Sequence, residues 1–239
     1  MSGHSHAHNV KGKKDAEDKR KSKIFSKLSR QIMMVVKEKN DGNPETNYAL
    51  RAILLKAKSS GMPKDTIDKS IKKAVGGDDK SSYEEVTYEI FGPGGVAILV
   101  EGITDNSNRT LGDVKLLLKI NNGKLASEGA IKWLFDRKGI IVINSEGKDK
   151  EELELNVIEA GAEDMTWFED ILEVYTDPTE LDKVKTAIET SGIEIDSYSL
   201  GWKEKESISI DNNIKEKIDK LFEALDDNDD IQNIYSNDK

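Results

Sequence analysis

The sequence of 239 residues contains no cysteine, and its three histidines, His4, His6 and His8, all lie near the N-terminus. The absence of cysteine excludes a disulfide scaffold, a thiolate-ligated zinc or iron–sulfur site, and thiol chemistry. Because histidine is confined to the N-terminus, the rest of the chain lacks the imidazole that a Ser–His–Asp triad or an HExxH zinc site requires. Carboxylate pairs are the remaining candidates for acid–base catalysis, but no pair is distinguished from the others among the 46 acidic residues. We therefore predict a non-enzymatic protein without a cofactor.

Long apolar runs are also missing from the sequence. The longest, such as Val96–Val100 and Ile140–Ile143, are far shorter than the roughly 20 residues that span a bilayer. The N-terminal segment is polar and basic, without the apolar stretch of a signal peptide. With 36% hydrophobic and 34% charged residues, the cores are expected to be small. These features predict a cytoplasmic protein with no membrane partner.

The charged residues are unevenly distributed along the chain. Residues 1–80 contain 19 Lys and Arg against 10 Asp and Glu, whereas residues 81–239 contain 17 against 36. A basic N-terminal part on an acidic remainder indicates that the N-terminal part binds a polyanion. The alternative interpretation is that these lysines form only the solvated face of helices, which is a common arrangement.

Residues 22–77 are predicted to form a three-helix bundle, because apolar residues recur there at three- and four-residue intervals. A turn at 40–44 ends the first helix, and Gly61 and Pro63 separate the second helix from the third. The first helix also carries a basic stripe at intervals of three, four and three residues, formed by Arg20, Lys23, Lys27 and Arg30. This stripe lies more than a quarter-turn from the centre of the apolar face, so core burial and phosphate contact need not compete.

The remainder of the chain predicts two mixed units of strands and helices. Runs at 83–91 and 96–104 flank a Gly-Pro-Gly-Gly turn as a hairpin, and a further strand is expected at 130–135. Residues 139–204 follow the βαββαβ order of a ferredoxin-like unit. The predicted fold class is α+β, an N-terminal three-helix bundle followed by two ferredoxin-like α/β-sandwich domains, one inserted into the other. Its expected parts are a basic mobile arm (1–21), a helical domain (22–79), a discontinuous middle domain (80–138 plus 205–239) and the inserted domain (139–204).

Two local motifs have both a functional and a structural interpretation. Residues 92–97 match the GxGxxA dinucleotide pattern, but an apolar β-run follows instead of the helix that would hold a pyrophosphate, so we interpret the motif as a turn. The polar loop 104–110 precedes a helix. Its Asn106 or Asn108 can cap that helix, while Arg109 is a candidate for gripping a phosphate.

Two further features carry weaker expectations. Cleavage of Met1 would expose Ser2-Gly3-His4, whose amine, amide and imidazole nitrogens suit copper(II) or nickel(II); such sites arise by chance, and we predict no metal cofactor. The tryptophans occur in strand-like runs and are expected to be core residues rather than stacking surfaces, namely Trp133, Trp167 and Trp202.

Several motifs, spread over essentially the whole chain and in conserved order, resemble the YebC/PmpR family. They are Gly3-His4-Ser5, Lys23–Leu28, Leu50-Arg51, Lys56-Ala57-Lys58, Met62–Asp65, Gly92–Ala97, Thr104–Thr110, Ala160–Asp164 and Leu225–Asn237. The chain departs from the usual family pattern in the arm, where Ser5-His6-Ala7-His8 replaces Ser-Lys-Trp-Ala. The resemblance implies a three-domain α+β protein with a helical N-terminal domain and two ferredoxin-like units.

The resemblance also implies a function in gene expression. Many bacterial members are described as probable transcriptional regulators that bind DNA, which predicts regulation of transcription here. A mitochondrial relative is a translational activator of cytochrome oxidase, and bacterial relatives are linked to ribosomes and to easing stalling at proline runs. The alternative prediction is therefore a ribosome-associated translation factor that binds ribosomal RNA.

We predict a nucleic-acid-binding regulator whose partner is DNA, ribosomal RNA or both. The ribosome is a further candidate partner. The sequence does not distinguish a monomer from a homodimer. A protein–protein adaptor that uses the acidic part of the chain is the competing interpretation. The predicted contacts combine the basic arm, the stripe of the first helix, two residues of the family-like motifs and one of the polar loop: Lys11, Lys13, Lys14, Arg20, Lys23, Lys27, Arg30, Arg51, Lys58 and Arg109.

Overall fold

The computed structural model describes residues 14–76 and 83–239, with side chains from Lys21 onward. Its helices are α1 (Lys14–Lys39), α2 (Tyr48–Ser59), α3 (Lys64–Val75), α4 (Ser107–Ile120), α5 (Lys150–Glu159), α6 (Leu181–Thr190) and α7 (Asn212–Asp226). Its strands are β1 (Glu84–Phe91), β2 (Ala97–Thr104), β3 (Lys124–Leu125), β4 (Phe135–Asn144), β5 (Asp164–Phe168), β6 (Ile171–Thr176), β7 (Ser197–Glu204) and β8 (Ile231–Ser236). The strands form two four-stranded antiparallel sheets, which confirms the predicted α+β fold class.

The described residues divide into two compact units. One, which we call the helix–sheet unit, contains α1 to α4, β1 to β3 and the segment Ser209–Ile234. The other, the insert unit, contains Trp133–Ile208 and Tyr235–Lys239. The finer division into arm, helical, middle and inserted domains stays a prediction.

In the helix–sheet unit, α1, α2 and α3 pack around one apolar core. The buried side chains come from all three helices and include Leu28, Ile32, Val36, Leu50, Ala57, Ile67 and Ala74. The buried Asn47 caps α2, since its Oδ1 accepts from the Leu50 amide while its Nδ2 donates to the Val35 and Asp41 carbonyls. One amide thus satisfies both the end of α1 and the start of α2. Helix α1 begins at Lys14, so its first residues belong to the segment predicted as an arm.

The first sheet has the strand order β3-β1-β2-β8. Strands β1 and β2 pair over their full length, from Glu84 opposite Thr104 to Phe91 opposite Ala97, which confirms the predicted hairpin. The GxGxxA motif forms a short 3-10 turn at Pro93–Gly95 and leads directly into β2, so no helix begins there and the interpretation as a turn is confirmed.

The second sheet, in the insert unit, has the order β5-β6-β4-β7, with α5 and α6 packed against it. The predicted strand at 130–135 is wrong, because Lys132–Leu134 form a 3-10 turn and the strand begins at Phe135. The expectation that Trp133 is a core residue is also wrong, because 64% of its surface is exposed. Local β propensity alone did not distinguish this turn from a strand.

Candidate nucleic-acid interface

Three predicted contacts on α1 face an acidic segment of the chain. This acidic segment, residues 226–230, connects α7 to β8 within the helix–sheet unit. Lys27 Nζ lies 2.6 Å from Asp226 Oδ1, and Lys23 Nζ lies 2.5 Å from Asp227 Oδ1 and 3.4 Å from Asp226 Oδ2. The structure therefore brings Lys23 and Lys27 of the predicted basic stripe together with carboxylates.

The titration behaviour of these groups follows from their pairing. Burial opposes charge on Lys23, but the carboxylates of Asp227 and Asp226 outweigh it and raise the pKa of the Lys23 amine. Burial likewise raises the pKa of Asp226, but the amines of Lys27 and Lys23 outweigh it, so the pKa lies below its usual value. Lys23 and Asp226 are therefore both charged at neutral pH. The pair of Lys23 with the largely exposed Asp227 is of a kind that contributes little to stability, about 0–1 kcal/mol, so a phosphate can displace it at small cost.

The other predicted contacts near this segment, Arg30 and Arg109, meet at a single buried carboxylate. Asp230 is 3% exposed, and its Oδ1 lies 2.8 Å from Arg30 Nη1. Its Oδ2 accepts from Arg109 Nη2 at 2.8 Å, and from the Thr110 and Thr104 hydroxyls at 2.6 and 3.2 Å. Burial raises the pKa of Asp230, but the Thr110 hydroxyl and the two guanidinium groups outweigh this effect, so the pKa lies below its usual value.

The backbone of β2 holds Asp230 in this position. The Ile103 amide donates to the Asp230 carbonyl at 2.8 Å. A Cβ at Gly102 would lie 2.7 Å from that same carbonyl oxygen, so only glycine admits the close approach. Asp230 thus connects α1, β2 and α4, and its carboxylate forms ion pairs with the guanidinium groups of Arg30 and Arg109. A phosphate at either guanidinium would have to compete with a buried carboxylate.

The polar loop before α4 is occupied by capping interactions. Asn106 Oδ1 accepts from the Arg109 amide at 3.0 Å, as a helix N-cap does, which confirms one of the two capping residues predicted for this loop. The Arg109 guanidinium also donates to Asp105 Oδ1 at 2.8 Å, and both carboxylates raise the pKa of this guanidinium.

The predicted contacts on α2, Arg51 and Lys58, lie in a different environment. Both side chains are exposed, and no acidic side chain among the described residues forms an ion pair with either. Arg51 Nε and Nη2 donate to the Pro44 and Glu45 carbonyls at 2.9 and 2.8 Å. Its guanidinium also lies 5.1 Å from the centre of the Tyr48 ring. Arg51 is therefore held in place by backbone carbonyls, and its positive charge is not paired with a carboxylate of the described residues.

The remaining predicted residues receive no structural test. Lys11, Lys13 and His4 lie outside the described residues, and the side chains of Lys14 and Arg20 in α1 are likewise not described. Sequence reasoning missed two components of the site. It did not predict that the acidic segment at 226–230 pairs with residues about 200 positions earlier. It also missed Tyr48, whose 75% exposure is shown only by the folded structure.

Two classes of site find no support in the described part of the chain. Nowhere in residues 14–76 and 83–239 do three or more His, Cys, Asp or Glu side chains converge as a metal site would require. None of the helices in those same ranges combines the length and the apolarity needed to cross a bilayer.

These observations define an α+β protein with a basic helical region and two four-stranded antiparallel sheets. Two family models match it: "TACO1/YebC protein N-terminal domain" over residues 5–77 and "TACO1/YebC second and third domain" over residues 83–238. The chain belongs to the TACO1/YebC family.

Relatives of similar length share about two-fifths of the sequence. A "Probable transcriptional regulatory protein" of Kosmotoga olearia is 43% identical over 238 residues, which cover 99% of this chain and 94% of that protein. The "Probable transcriptional regulatory protein YrbC" of Bacillus subtilis is 42% identical over 239 residues, with 99% of each chain covered. A crystal structure of the conserved hypothetical protein Aq1575 from Aquifex aeolicus matches with a TM-score of 0.89 and 37% identity, covering 98% of this chain and 97% of that one.

Proposed function

We propose that this protein is a non-enzymatic, nucleic-acid-binding regulator of gene expression that contacts its target through the helical region. The observation that carries the proposal is the charge of that region. Residues 21–76 contain 13 Lys and Arg against 5 Asp and Glu. Lysines on α3 at positions 64, 69 and 72 are exposed, and none forms an ion pair with a described residue. Such a surface attracts a polyanion.

The names of the relatives support transcription as the process, and we propose DNA as the target. The proteins of K. olearia and B. subtilis that match this chain almost end to end are both named as probable transcriptional regulators. We propose the same role here. The described residues contain no cluster of ligands that would form a zinc finger for reading bases, and backbone and shape recognition is the mechanism we favour.

The mechanism we propose is electrostatic. Each Lys or Arg that pairs with a phosphate releases a condensed counterion, so the affinity falls steeply as salt concentration rises. We propose that Arg51 and Lys58 contact phosphate directly, since no carboxylate within the described parts of the chain forms an ion pair with either. Lys23 and Lys27 join the interface when phosphate replaces Asp227 and Asp226. Lys11, Lys13, Lys14 and Arg20 complete the proposed contact set, while Arg30 and Arg109 contribute by holding the fold around Asp230.

In-cell crosslinking tests the proposal. The protein is crosslinked in living cells and purified under denaturing conditions, and the attached nucleic acid is sequenced. We expect DNA from promoter regions. Ribosomal RNA crosslinks concentrated at a few positions would replace the transcriptional role with one in translation. Recovery of neither nucleic acid would overturn the proposal, and a partner protein that survives nuclease treatment would then identify an adaptor.

A further inference from the structure

One face of α2 is exposed along its whole length and combines aromatic, basic and apolar side chains. Tyr48, Arg51, Leu55 and Lys58 are spaced by three, four and three residues. At 3.6 residues per turn they fall within an arc of roughly 80°. The buried residues of the same helix, Leu50 and Ala57, lie on the opposite side. We call these four residues the α2 face.

Two members of the α2 face are unusually exposed for their chemistry. Tyr48 is 75% exposed, the highest value among the large exposed hydrophobic side chains of the described residues, and Leu55 is 55% exposed. An exposed tyrosine ring beside an exposed leucine and basic side chains is available to a binding partner. Neither side chain contributes to the core of the three helices.

Arg51 and Tyr48 are held together in advance of any ligand. The two carbonyls of Pro44 and Glu45 fix the guanidinium, which lies 5.1 Å from the Tyr48 ring centre. These two hydrogen bonds leave three of the five guanidinium N–H groups for another acceptor. Because the side chain is already ordered, little conformational entropy is lost when a phosphate binds it. The hydrogen bonds to the Pro44 and Glu45 carbonyls explain the position of Arg51, but they do not explain why Tyr48 is exposed.

We infer that the α2 face binds an unpaired nucleic-acid strand, with a base stacked on Tyr48 and backbone phosphates held by Arg51 and Lys58. The inference rests on the proposed function and identifies the site and the ligand class. Proteins bind single strands with a row of basic side chains that follows the phosphates and with exposed aromatic rings on which bases stack. This works for any base, since every base has a π-face. A duplex already stacks its bases and presents none to Tyr48. Position 58 lies about 15 Å along the helix axis from position 48, so the face spans a short strand of a few nucleotides.

Fluorescence anisotropy with labelled 15-nucleotide probes tests the inference. The probes are oligo(U) RNA, oligo(dT) DNA, and a 15-base-pair DNA duplex, each titrated with the full chain at several salt concentrations. We expect at least one single strand to bind more tightly than the duplex, and whether it is RNA or DNA identifies the source of the strand. Tyr48→Ala should weaken binding at least about fivefold, while Tyr48→Trp preserves it. Neither change should alter the salt dependence.

The charged residues of the α2 face are tested by salt dependence. Arg51→Gln and Lys58→Gln should each reduce the slope of log affinity against log salt by about 0.7, as expected per phosphate contact on a single strand. Leu116→Ala and Lys115→Gln, at exposed side chains of α4, are matched controls and should leave both quantities unchanged. Circular dichroism confirms that each variant is folded.

The outcomes separate this inference from the proposed function. Tighter binding of the duplex, or a Tyr48→Ala protein that binds a single strand within twofold of the wild type, overturns the inference while the proposed function stands. Failure of the wild type to bind any of the three probes, together with absence of nucleic acid from the in-cell crosslinks, overturns both.

Discussion

Lys27 Nζ lies 2.6 Å from Oδ1 of Asp226, 199 positions further along the chain. Together with the contact of Lys23 with Asp227, this ion pair places carboxylates where the predicted basic stripe of α1 would otherwise meet phosphates. Carboxylate and phosphate compete for the same ammonium groups. The acidic segment therefore opposes nucleic-acid binding at this part of α1.

Removing the two carboxylates tests this competition. The double substitution Asp226→Asn and Asp227→Asn should tighten binding of a 20-base-pair DNA duplex and steepen its salt dependence, by up to about 0.9 in slope for each of the two lysines released. Electrophoretic mobility shift at several salt concentrations measures both quantities. Glu223→Gln with Asp229→Asn is the matched control, since it removes the same charge from exposed residues of the same region that form no ion pair among the described residues. An equal change in this control would mean that only overall charge matters.

The buried carboxylate of Asp230 is expected to be a major source of stability in the helix–sheet unit. Asp230→Asn removes the charge that faces Arg30 and Arg109, and we expect a loss of about 3 kcal/mol in the free energy of unfolding at pH 7. Because folding lowers the pKa of Asp230, its contribution is fully present above the unfolded value of about 3.9, decreases below that value, and is lost as the pH falls through the lower pKa of the folded state. Urea unfolding should therefore show a larger difference between wild type and variant at pH 7 than at pH 3. A similar loss for the exposed Asp229→Asn would contradict this assignment.

Glu89 is expected to anchor the segment that leads to the 3-10 turn at 132–134. Its buried carboxylate accepts from the backbone amides of Gly129, Ile131 and Lys132 at 2.5, 2.5 and 2.8 Å. Burial raises the pKa of Glu89, but these three donors outweigh it, so the pKa is lowered. Glu89→Gln turns one acceptor into a donor.

Hydrogen exchange measures the effect at Glu89. In Glu89→Gln the amides of residues 129, 131 and 132 should exchange at least about tenfold faster, as expected when charged hydrogen bonds of roughly 1.5–3 kcal/mol are lost. Glu85→Gln, on the exposed part of β1, should leave their exchange unchanged. Unaltered protection in Glu89→Gln would show that the segment is held by other contacts.

A fully buried glutamate in the insert unit makes stability depend on pH in the opposite direction. Glu173 is 0% exposed, and burial raises its pKa to about 7, helped by the nearby Glu204, although the Tyr175 hydroxyl donates to its Oε2 at 2.9 Å and lowers the pKa. The folded state therefore holds a proton that the unfolded state releases near pH 4.3. The stability from this group is present below pH 4.3 and is lost as the pH rises to about 7.

Glu173→Gln should abolish this loss. We expect the variant to be more stable than the wild type at pH 8, by up to about 3 kcal/mol, and close to it at pH 4. Thermal unfolding at a series of pH values measures the difference, with the exposed Glu151→Gln as control. A constant difference between Glu173→Gln and wild type at every pH would show that the carboxyl group does not titrate in this range.

Much of the fold could be predicted from local patterns. The three-residue and four-residue spacing of apolar side chains predicted the three N-terminal helices, and the Gly-Pro-Gly-Gly turn between two β-runs predicted the β1–β2 hairpin. The helix cap at Asn106 was predictable from residue type alone. The strand expected at 130–135 failed because the segment is held by Glu89, a residue 40 or more positions away. Local propensity carries no information about such a partner.

The sequence by itself determined three properties of this protein. Its N-terminal part is basic, it has no cysteine and no histidine beyond position 8, and its apolar residues recur with helical periodicity in α1 and α2. These depend on residues close together in the chain or on simple counts. The tertiary structure alone decided which basic residues are already paired. Lys23, Lys27, Arg30 and Arg109 meet carboxylates that lie 121 to 204 positions away, whereas Arg51 and Lys58 meet none among the described residues. Ion pairing depends on distances of a few ångströms, and only folding brings such remote residues that close.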